Sequence, residues 1–179
     1  MIHPLTDIHT HFTPDVDDGS ECMEMTLEML RSEAAQGCTK VILTPHSDAF
    51  EWGGPEIAAW TCNKMKSVQK EAVREGIPIR IYQGCEIYTS RKYIGGILQD
   101  LQSGRLPSVN HTRYVLAEFS TSGGDMEDAK YCLRRYLEEG WIPIIAHAER
   151  YRRTFTTVEN IRILKKMGCL VQVNYYSLY

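Results

Sequence analysis

Two histidines spaced by two, His9 and His11, close the run Thr6-Asp7-Ile8-His9-Thr10-His11, and a carboxylate cluster, Asp15-Val16-Asp17-Asp18-Gly19, follows. In a strand, residues i and i+2 project from one face, so the two imidazoles stand side by side at a strand end. Neutral imidazole is the commonest nitrogen ligand for transition metals, and carboxylates complete such sites. A lone His-x-His also arises by chance on half-buried strands. The weight comes from later stations: His46, Glu86, Glu118 and His147 each follow a different apolar run. Imidazoles mixed with carboxylates form a hard-to-borderline set that suits Mn²⁺, Fe or Zn²⁺ without choosing among them. Two such ions about 3.5–4 Å apart, bridged by Glu86 or another carboxylate, polarise a phosphate and lower the pKa of bound water. Phosphate-ester hydrolysis is the matching reaction class. It needs positive charge around the non-bridging oxygens, and Arg150 in His147-Ala148-Glu149-Arg150 is suitably near. The competing reading of Arg150 is a solvated rim charge paired with Glu149. Arg152 and Arg153 read as surface charge.

The elements that hold these residues alternate strand and helix. A first strand ends at the histidine pair. Ser20 is a candidate cap for a helix to about Gln36, with Met23, Leu27, Leu30 and Ala34 on one stripe and Gly37 as its stop. Val41-Ile42-Leu43 reads as a buried parallel strand leading to His46. After a loop over Trp52 to Pro55, a helix is expected from about Glu56 to Glu75, stopped by Gly76. A third strand, Ile77 to Tyr82, leads to Gly84-Cys85-Glu86. Residues 92 to 103 make a shorter helix weakened by Gly95 and Gly96. Tyr114 to Ala117 is a fourth strand ending at Glu118. A helix spans about Met126 to Glu139, a fifth strand Ile142 to Ala146 ends at His147, and a helix Val158 to Met167 precedes a sixth strand, Leu170 to Val173. The alternation implies a parallel sheet, either open and doubly wound or closed as a barrel. No Gly-x-Gly-x-x-Gly or P-loop follows any strand, which weakens the nucleotide-binding open sheets. The chemistry-bearing residues occupy the C-terminal ends of several strands, the face on which barrels of this type build their sites. Four of the six histidines lie there.

Bulk properties agree with an ordinary soluble globular protein. The 179 residues suit one domain, with 43% hydrophobic and 24% charged residues. A net charge of −3 gives no footprint for nucleic acid or an anionic membrane. The start, Met1-Ile2-His3-Pro4, lacks the basic and apolar regions of a signal peptide, and no apolar run reaches the ~20 residues of a membrane span. Six cysteines without a Cys-x-x-Cys pair read as reduced thiols, most of them buried or half-buried, in a cytoplasmic protein. The tail tyrosines Tyr175, Tyr176 and Tyr179 are assigned to packing. One motif competes with the metal reading. Cys85 to Arg91 has the Cys-x5-Arg spacing of cysteine-based tyrosine phosphatases. Its intervening residues contain no glycine to help a phosphate loop close, no strong helix follows, and it overlaps Glu86. It reads as accidental.

Taken together, Asp7-Ile8-His9-Thr10-His11, Asp15-Val16-Asp17-Asp18-Gly19, Gly84-Cys85-Glu86-Ile87-Tyr88, Glu118-Phe119-Ser120 and Ala146-His147-Ala148-Glu149-Arg150-Tyr151 resemble the polymerase-and-histidinol-phosphatase (PHP) superfamily. Within it they are most similar to the metal-dependent protein-tyrosine phosphatases of bacterial capsule and exopolysaccharide loci. The resemblance spans essentially the whole chain. It implies a distorted seven-stranded β/α barrel and a cluster of up to three divalent ions, often Mn²⁺. The implied substrates are phosphotyrosines on the tail of a bacterial tyrosine kinase that controls polysaccharide assembly. By matching motif, His9, His11, Asp18, His46, Glu86, Glu118 and His147 are the implied metal ligands, with Glu86 bridging. Arg150 is the implied phosphate binder, and the implied nucleophile is a metal-bridging hydroxide. Asp7 and Asp17 are expected to orient imidazoles or the turn.

The sequence departs from that pattern at one place. Family members continue past the strand at Leu170 to Val173 and supply a last Asp-x-His pair and a further arginine, whereas this sequence reads Asn174-Tyr175-Tyr176-Ser177 and stops at Tyr179. The expectation is therefore a barrel lacking its last strand–helix unit, with an exposed strand edge that invites a homo-oligomer. Two alternatives to a tyrosine phosphatase follow: a histidinol-phosphatase-like phosphoesterase, or an inactive truncated barrel that binds phosphotyrosyl segments or a kinase without turnover. The Asp-Val-Asp-Asp-Gly and Glu-Arg-Tyr segments favour the tyrosine phosphatase.

Overall fold

Val41, Ile42 and Leu43 are all buried, so the strand that carries them needs cover on both faces. The computed structural model describes residues 4–49, 57–121, 125–151 and 157–178, and in it the chain forms two units.

The first unit, residues 1–85 and 104–112, holds β1 (Leu5–Thr10), α1 (Met23–Ala35), β2 (Cys38–Leu43), α2 (Ile57–Arg74) and β3 (Arg80–Gln83). The strands pair in parallel in the order β1-β2-β3, with Val41 opposite Ile81 and Thr10 opposite Leu43. Leu27 and Leu30 of α1 and Val68 and Ala72 of α2 bury against Val41, Leu43, Ile77, Ile79 and Ile81. At about 25 cal/mol per Å² of apolar surface, such burial dominates the stability of the unit. The helix α1 begins later than the Ser20 cap predicts. Cys22 occupies the capping position without a side-chain bond, while the Ser20 hydroxyl donates to the Cys22 carbonyl (2.8 Å) and lies 2.7 Å from the Thr26 hydroxyl. Ser20 therefore braces the preceding loop and leaves the helix end uncapped.

The second unit, residues 86–103 and 113–179, holds β4 (Glu86–Tyr88), α3 (Ile94–Gln102), β5 (Tyr114–Glu118), α4 (Met126–Glu138), β6 (Ile142–Ile145), α5 (Val158–Met167) and β7 (Leu170–Val171). Its strands are also parallel, in the order β4-β5-β6-β7. The side chain of Asp125 caps α4 by accepting the Glu127 N–H, and Thr157 caps α5 through the Asn160 N–H. Gly168, at φ 102°, ends α5 in the left-handed conformation that glycine adopts without strain. The glycines at 95 and 96 do not break α3, because both are exposed while Ile94, Ile97, Leu98 and Leu101 are buried.

The α/β alternation and parallel pairing read from the sequence hold. Among the described residues the strands form sheets of three and four with no closed barrel. One element differs from expectation. The sequence reading ends a single strand near Tyr82 and leaves Glu86 just beyond its end. In the structure β3 starts at Arg80, and Glu86 is the first residue of a separate strand. A Cβ on Gly84 would lie 2.9 Å from Ile42 Cγ2 and 3.0 Å from Thr44 Cγ2. That close passage marks where the chain leaves the first sheet. The last strand is shorter than the predicted 170–173. All six cysteines are free thiols, four of them buried, Cys62 half-buried and Cys22 exposed.

Candidate metal centre

In the first unit, His9 lies near the end of β1, His11 one residue past it, and His46 three residues past β2. Thr10, between the two histidines, points the other way: it is buried, its hydroxyl donates to the Ile42 carbonyl (2.9 Å), and its N–H donates to the Thr44 hydroxyl (3.0 Å). This anchoring leaves His9 and His11 on one face with their Nε2 atoms 3.3 Å apart. The rings of His11 and His46 stack loosely, with centroids 4.5 Å apart.

Asp17 organises this cluster. Its side chain is 2% exposed. Oδ2 accepts from His11 Nδ1 (2.9 Å) and from the His46 N–H (3.1 Å), while Oδ1 accepts from the Gly19 N–H (3.2 Å). Burial pushes the Asp17 carboxyl up, but the His11 bond and charge and the two N–H groups outweigh it and hold the group below the usual carboxylate range. With its Nδ1 proton engaged, His11 presents the Nε2 lone pair. Asp18 is exposed, with Oδ1 3.8 Å from His11 Nδ1 and 3.6 Å from His46 Nε2. Asp7 accepts the His9 N–H (3.0 Å) and so fixes the strand end instead of an imidazole.

These donors fit a divalent cation. Two nitrogens each about 2.1 Å from one ion stand about 3.0 Å apart at a right angle and about 3.4 Å at the tetrahedral angle, and the observed separation falls between. His11, Asp17 and Asp18 also converge closely enough to hold an ion.

Gly19 is required by this geometry, because an added Cβ would lie 1.9 Å from the His11 carbonyl oxygen and 2.4 Å from the His11 Cβ. The same carbonyl accepts the Ser20 N–H (2.9 Å). Gly19→Ala must displace His11 or the aspartate loop. It is expected to cost about 1–3 kcal/mol of stability, the usual range for overpacking, and to weaken metal binding; thermal melts with and without Mn²⁺ check both.

In the second unit, Glu118 is the last residue of β5 and His147 lies two residues past β6. Glu86 is fully buried and His147 is 3% exposed. Nε2 of His147 lies 2.8 Å from Glu86 Oε1 and 3.6 Å from Glu118 Oε1. Two carboxylates against one imidazole leave excess negative charge even when the imidazole is protonated. Removing such charge from water is costly unless a cation compensates it, so this donor set also fits a metal. Tyr151, 2% exposed, accepts the Phe119 N–H at its hydroxyl (2.9 Å), and its ring lies 5.4 Å from that of His147. Burial first, and then the charges of Glu118 and Glu86, push the Tyr151 hydroxyl far up, so it stays protonated. Arg150 is exposed on the single turn Ala148–Arg150, and its N–H donates to the His147 carbonyl (2.9 Å).

The structure thus groups His9, His11, Asp18 and His46 in one unit and Glu86, Glu118 and His147 in the other. Sequence reasoning gave no role to Tyr151, Gly19 or Gln172. Tyr151 and Gly19 both stand inside motifs that carry the family resemblance, which is the signal that could have found them.

The Cys-x5-Arg motif forms no phosphate loop. Residues 86–88 are strand, the buried Cys85 thiol donates to the Pro45 carbonyl (3.2 Å), and Arg91 pairs with Asp128 (2.8 Å) while lying over the Tyr131 ring. Cys85→Ser and Arg91→Ala are each expected to retain hydrolytic activity within about threefold. A loss beyond a hundredfold in either would restore the cysteine-phosphatase reading.

Comparison with known proteins gives a consistent result. A family model described as "Capsular polysaccharide synthesis, CpsB/CapC" matches residues 5–179. The chain is 32% identical over 178 residues to the tyrosine-protein phosphatase CpsB of Streptococcus pneumoniae, covering 97% of this chain and 69% of that protein. It is 31% identical over 172 residues to CpsB of Streptococcus agalactiae, covering 95% and 67%. It is 29% identical to the tyrosine-protein phosphatase YwqE of Bacillus subtilis, covering 97% and 66%. In structure it is similar to the crystal structures of YwqE and pneumococcal CpsB, described as unique metal-dependent tyrosine phosphatases. That match has a TM-score of 0.83 at 30% identity and covers 94% of this chain and 66% of the other. The chain thus spans about two thirds of the length of these relatives.

Proposed function

Because the chain belongs to the CpsB/CapC family of capsular polysaccharide synthesis proteins, we propose that it is a metal-dependent protein-tyrosine phosphatase acting in the regulation of capsular or exopolysaccharide synthesis. The observation that carries this reading is the facing pair of Nε2 atoms on His9 and His11, 3.3 Å apart with the His11 tautomer set by Asp17. His9, His11, Asp18, His46, Glu86, Glu118 and His147 hold the ions, with Mn²⁺ the proposed metal. When bound, such ions polarise phosphoryl oxygens and lower the pKa of coordinated water.

The chain's own residues do the rest. Asp17 keeps the His11 proton on Nδ1, away from the site. Glu86 and Glu118 supply the negative charge that holds cations beside a dianionic phosphate. Arg150 offers a fork of donors to the non-bridging oxygens and sets the orientation of the ester. The protonated Tyr151 hydroxyl keeps the Glu118–Phe119 strand end in place.

The substrate we propose is a phosphotyrosyl segment of a protein, with the tail of a bacterial tyrosine kinase as the partner. The architecture we propose for residues 1–179, taken as one domain, is that of the distorted PHP-type β/α barrel without its last strand–helix unit. Parallel pairing of every described strand, with a helix between most consecutive strands, supports it. Among the described residues no helix is long and apolar enough to cross a membrane, and a cytoplasmic location is part of the proposal. A panel of phosphotyrosyl peptide, phosphoseryl peptide and histidinol phosphate, assayed with Mn²⁺, tests the assignment. Preferred turnover of the phosphotyrosyl peptide is expected. Turnover of histidinol phosphate with none of the peptide would reject it.

A further inference from the structure

His147 sits in a backbone conformation that a side-chain-bearing residue rarely adopts, φ 28° and ψ 55°. Such conformations are strained and persist only where the surroundings over-determine them. The surroundings here converge on one residue just past the end of β7. The main chain of Gln172 donates its N–H to the Ile145 carbonyl (2.9 Å) and accepts the Ala148 N–H at its carbonyl (2.9 Å). Its side chain then reaches back along the same turn. Gln172 Oε1 accepts the N–H of His147 itself, at 2.5 Å, and Nε2 donates to Asn174 Oδ1 at 2.9 Å. The orientation of the amide is thereby fixed at both ends, because a peptide N–H can only donate. Gln172 holds the peptide groups on both sides of His147, in addition to the strand end that leads into it.

A main-chain ladder alone would continue β6 and β7 without selecting a left-handed residue at 147. The side-chain acceptor makes the difference, since it receives the one N–H that the turn removes from the ladder. Left without it, that N–H is buried and unsatisfied, at a cost comparable to the strain itself, and the turn relaxes toward ordinary φ. The imidazole moves with its Cα. From this we propose that Gln172 is a positioning residue: it fixes His147 Nε2 against Glu86 and Glu118 by holding the backbone of His147 in its strained conformation. The inference rests on the reading of His147 as a metal ligand and extends it to a residue that contacts neither metal nor phosphate. Groups that orient metal ligands typically change metal affinity or activity 10–100-fold when removed.

The test is Mn²⁺ binding to the protein, followed by loss of the free-Mn²⁺ electron paramagnetic resonance signal, for the wild type, Gln172→Met, Gln172→Glu and His147→Ala. Gln172→Met keeps the length of the side chain and removes the acceptor, and the dissociation constant of its most affected site is expected to rise about 10–100-fold. Gln172→Glu keeps an oxygen against the His147 N–H and lets the Asn174 amide turn to donate, so it is expected to restore affinity to within a few-fold. A residue that only supports the fold would lower the melting temperature in both variants without separating their metal affinities well below that temperature. Wild-type affinity in Gln172→Met, with His147→Ala impaired, overturns the proposal and leaves the ligand reading standing. Wild-type affinity in His147→Ala overturns the ligand reading itself. If Gln172→Met does not fold, Asn174→Ala, which unlocks the amide, serves in its place: affinity several-fold weaker supports the proposal and unchanged affinity overturns it.

Discussion

Glu86→Gln should abolish phosphate-ester hydrolysis while leaving the metal-free protein at least as stable as the wild type. The carboxylate is wholly buried, with Oε1 2.8 Å from His147 Nε2. An amide keeps the shape, so the packing around the side chain survives. The negative charge is lost. A hard-to-borderline cation holds to carboxylate oxygen far better than to a neutral amide, and the expected loss in kcat/KM is about 10³-fold or more, some 4 kcal/mol at the transition state. In the metal-free state the sign reverses, because a carboxylate removed from water is a cost. An unchanged melting temperature, or a rise of about 2–4 °C for each kcal/mol relieved, is expected for a chain of this size. Activity falling together with stability would indicate a structural role. Activity within tenfold of wild type would remove Glu86 from the chemistry.

Asp17→Asn should reduce metal affinity and activity about 10–100-fold and also destabilise the fold. Asp17 accepts three N–H groups on two oxygens, whereas asparagine has one acceptor oxygen. Whichever way the amide turns, its NH₂ faces another N–H group. Hydrogen bonds to a charged group contribute about 1.5–3 kcal/mol each, and the loss should lie in that range at neutral pH. The pH dependence has a definite sign. The net effect of burial, the His11 bond and the two N–H groups holds the Asp17 carboxyl below its ordinary value. Its contribution is therefore fully present above the unfolded carboxylate range and disappears as pH falls through the lower folded value. Urea unfolding of wild type and Asp17→Asn, both metal-free, should show a gap that is widest near neutrality and closes in acid. A gap independent of pH would mean that the ionised carboxylate is not what holds the loop.

What could be read from the sequence followed from periodicity. Val41-Ile42-Leu43 and Ile142 to Ile145 are apolar without alternation, as buried parallel strands are, and their ends fixed the positions of His46 and His147. The two-residue repeat placed His9 and His11 on one face, where their Nε2 atoms meet. Glu86 reads from the sequence as lying past a strand end but begins a strand of its own, because a three-residue strand such as Glu86–Tyr88 is shorter than any periodic signal and the turn before it depends on how closely Gly84 passes Ile42. Asp17 and Asp18 are adjacent; the family resemblance separates their roles, and the structure adds that Asp17 is buried and bonded while Asp18 is exposed. The positive φ of His147 and its acceptor on Gln172 lie outside what composition can convey, since a glutamine just past a two-residue strand carries no chemical signature. The helix α3 formed despite two glycines because tertiary burial of its four apolar residues outweighs propensity.

Whether bound divalent metal drives phosphotyrosine hydrolysis by this chain is decided by stripping the protein with a chelator, titrating Mn²⁺ back, and following bound metal and phosphotyrosyl-peptide hydrolysis in the same samples. No hydrolysis is expected after stripping, with recovery in step with the ions bound, and neither binding nor recovery when His9→Ala and His11→Ala are combined. Hydrolysis at full rate in excess chelator, or undiminished metal binding in that double variant, would contradict the metal-dependent reading.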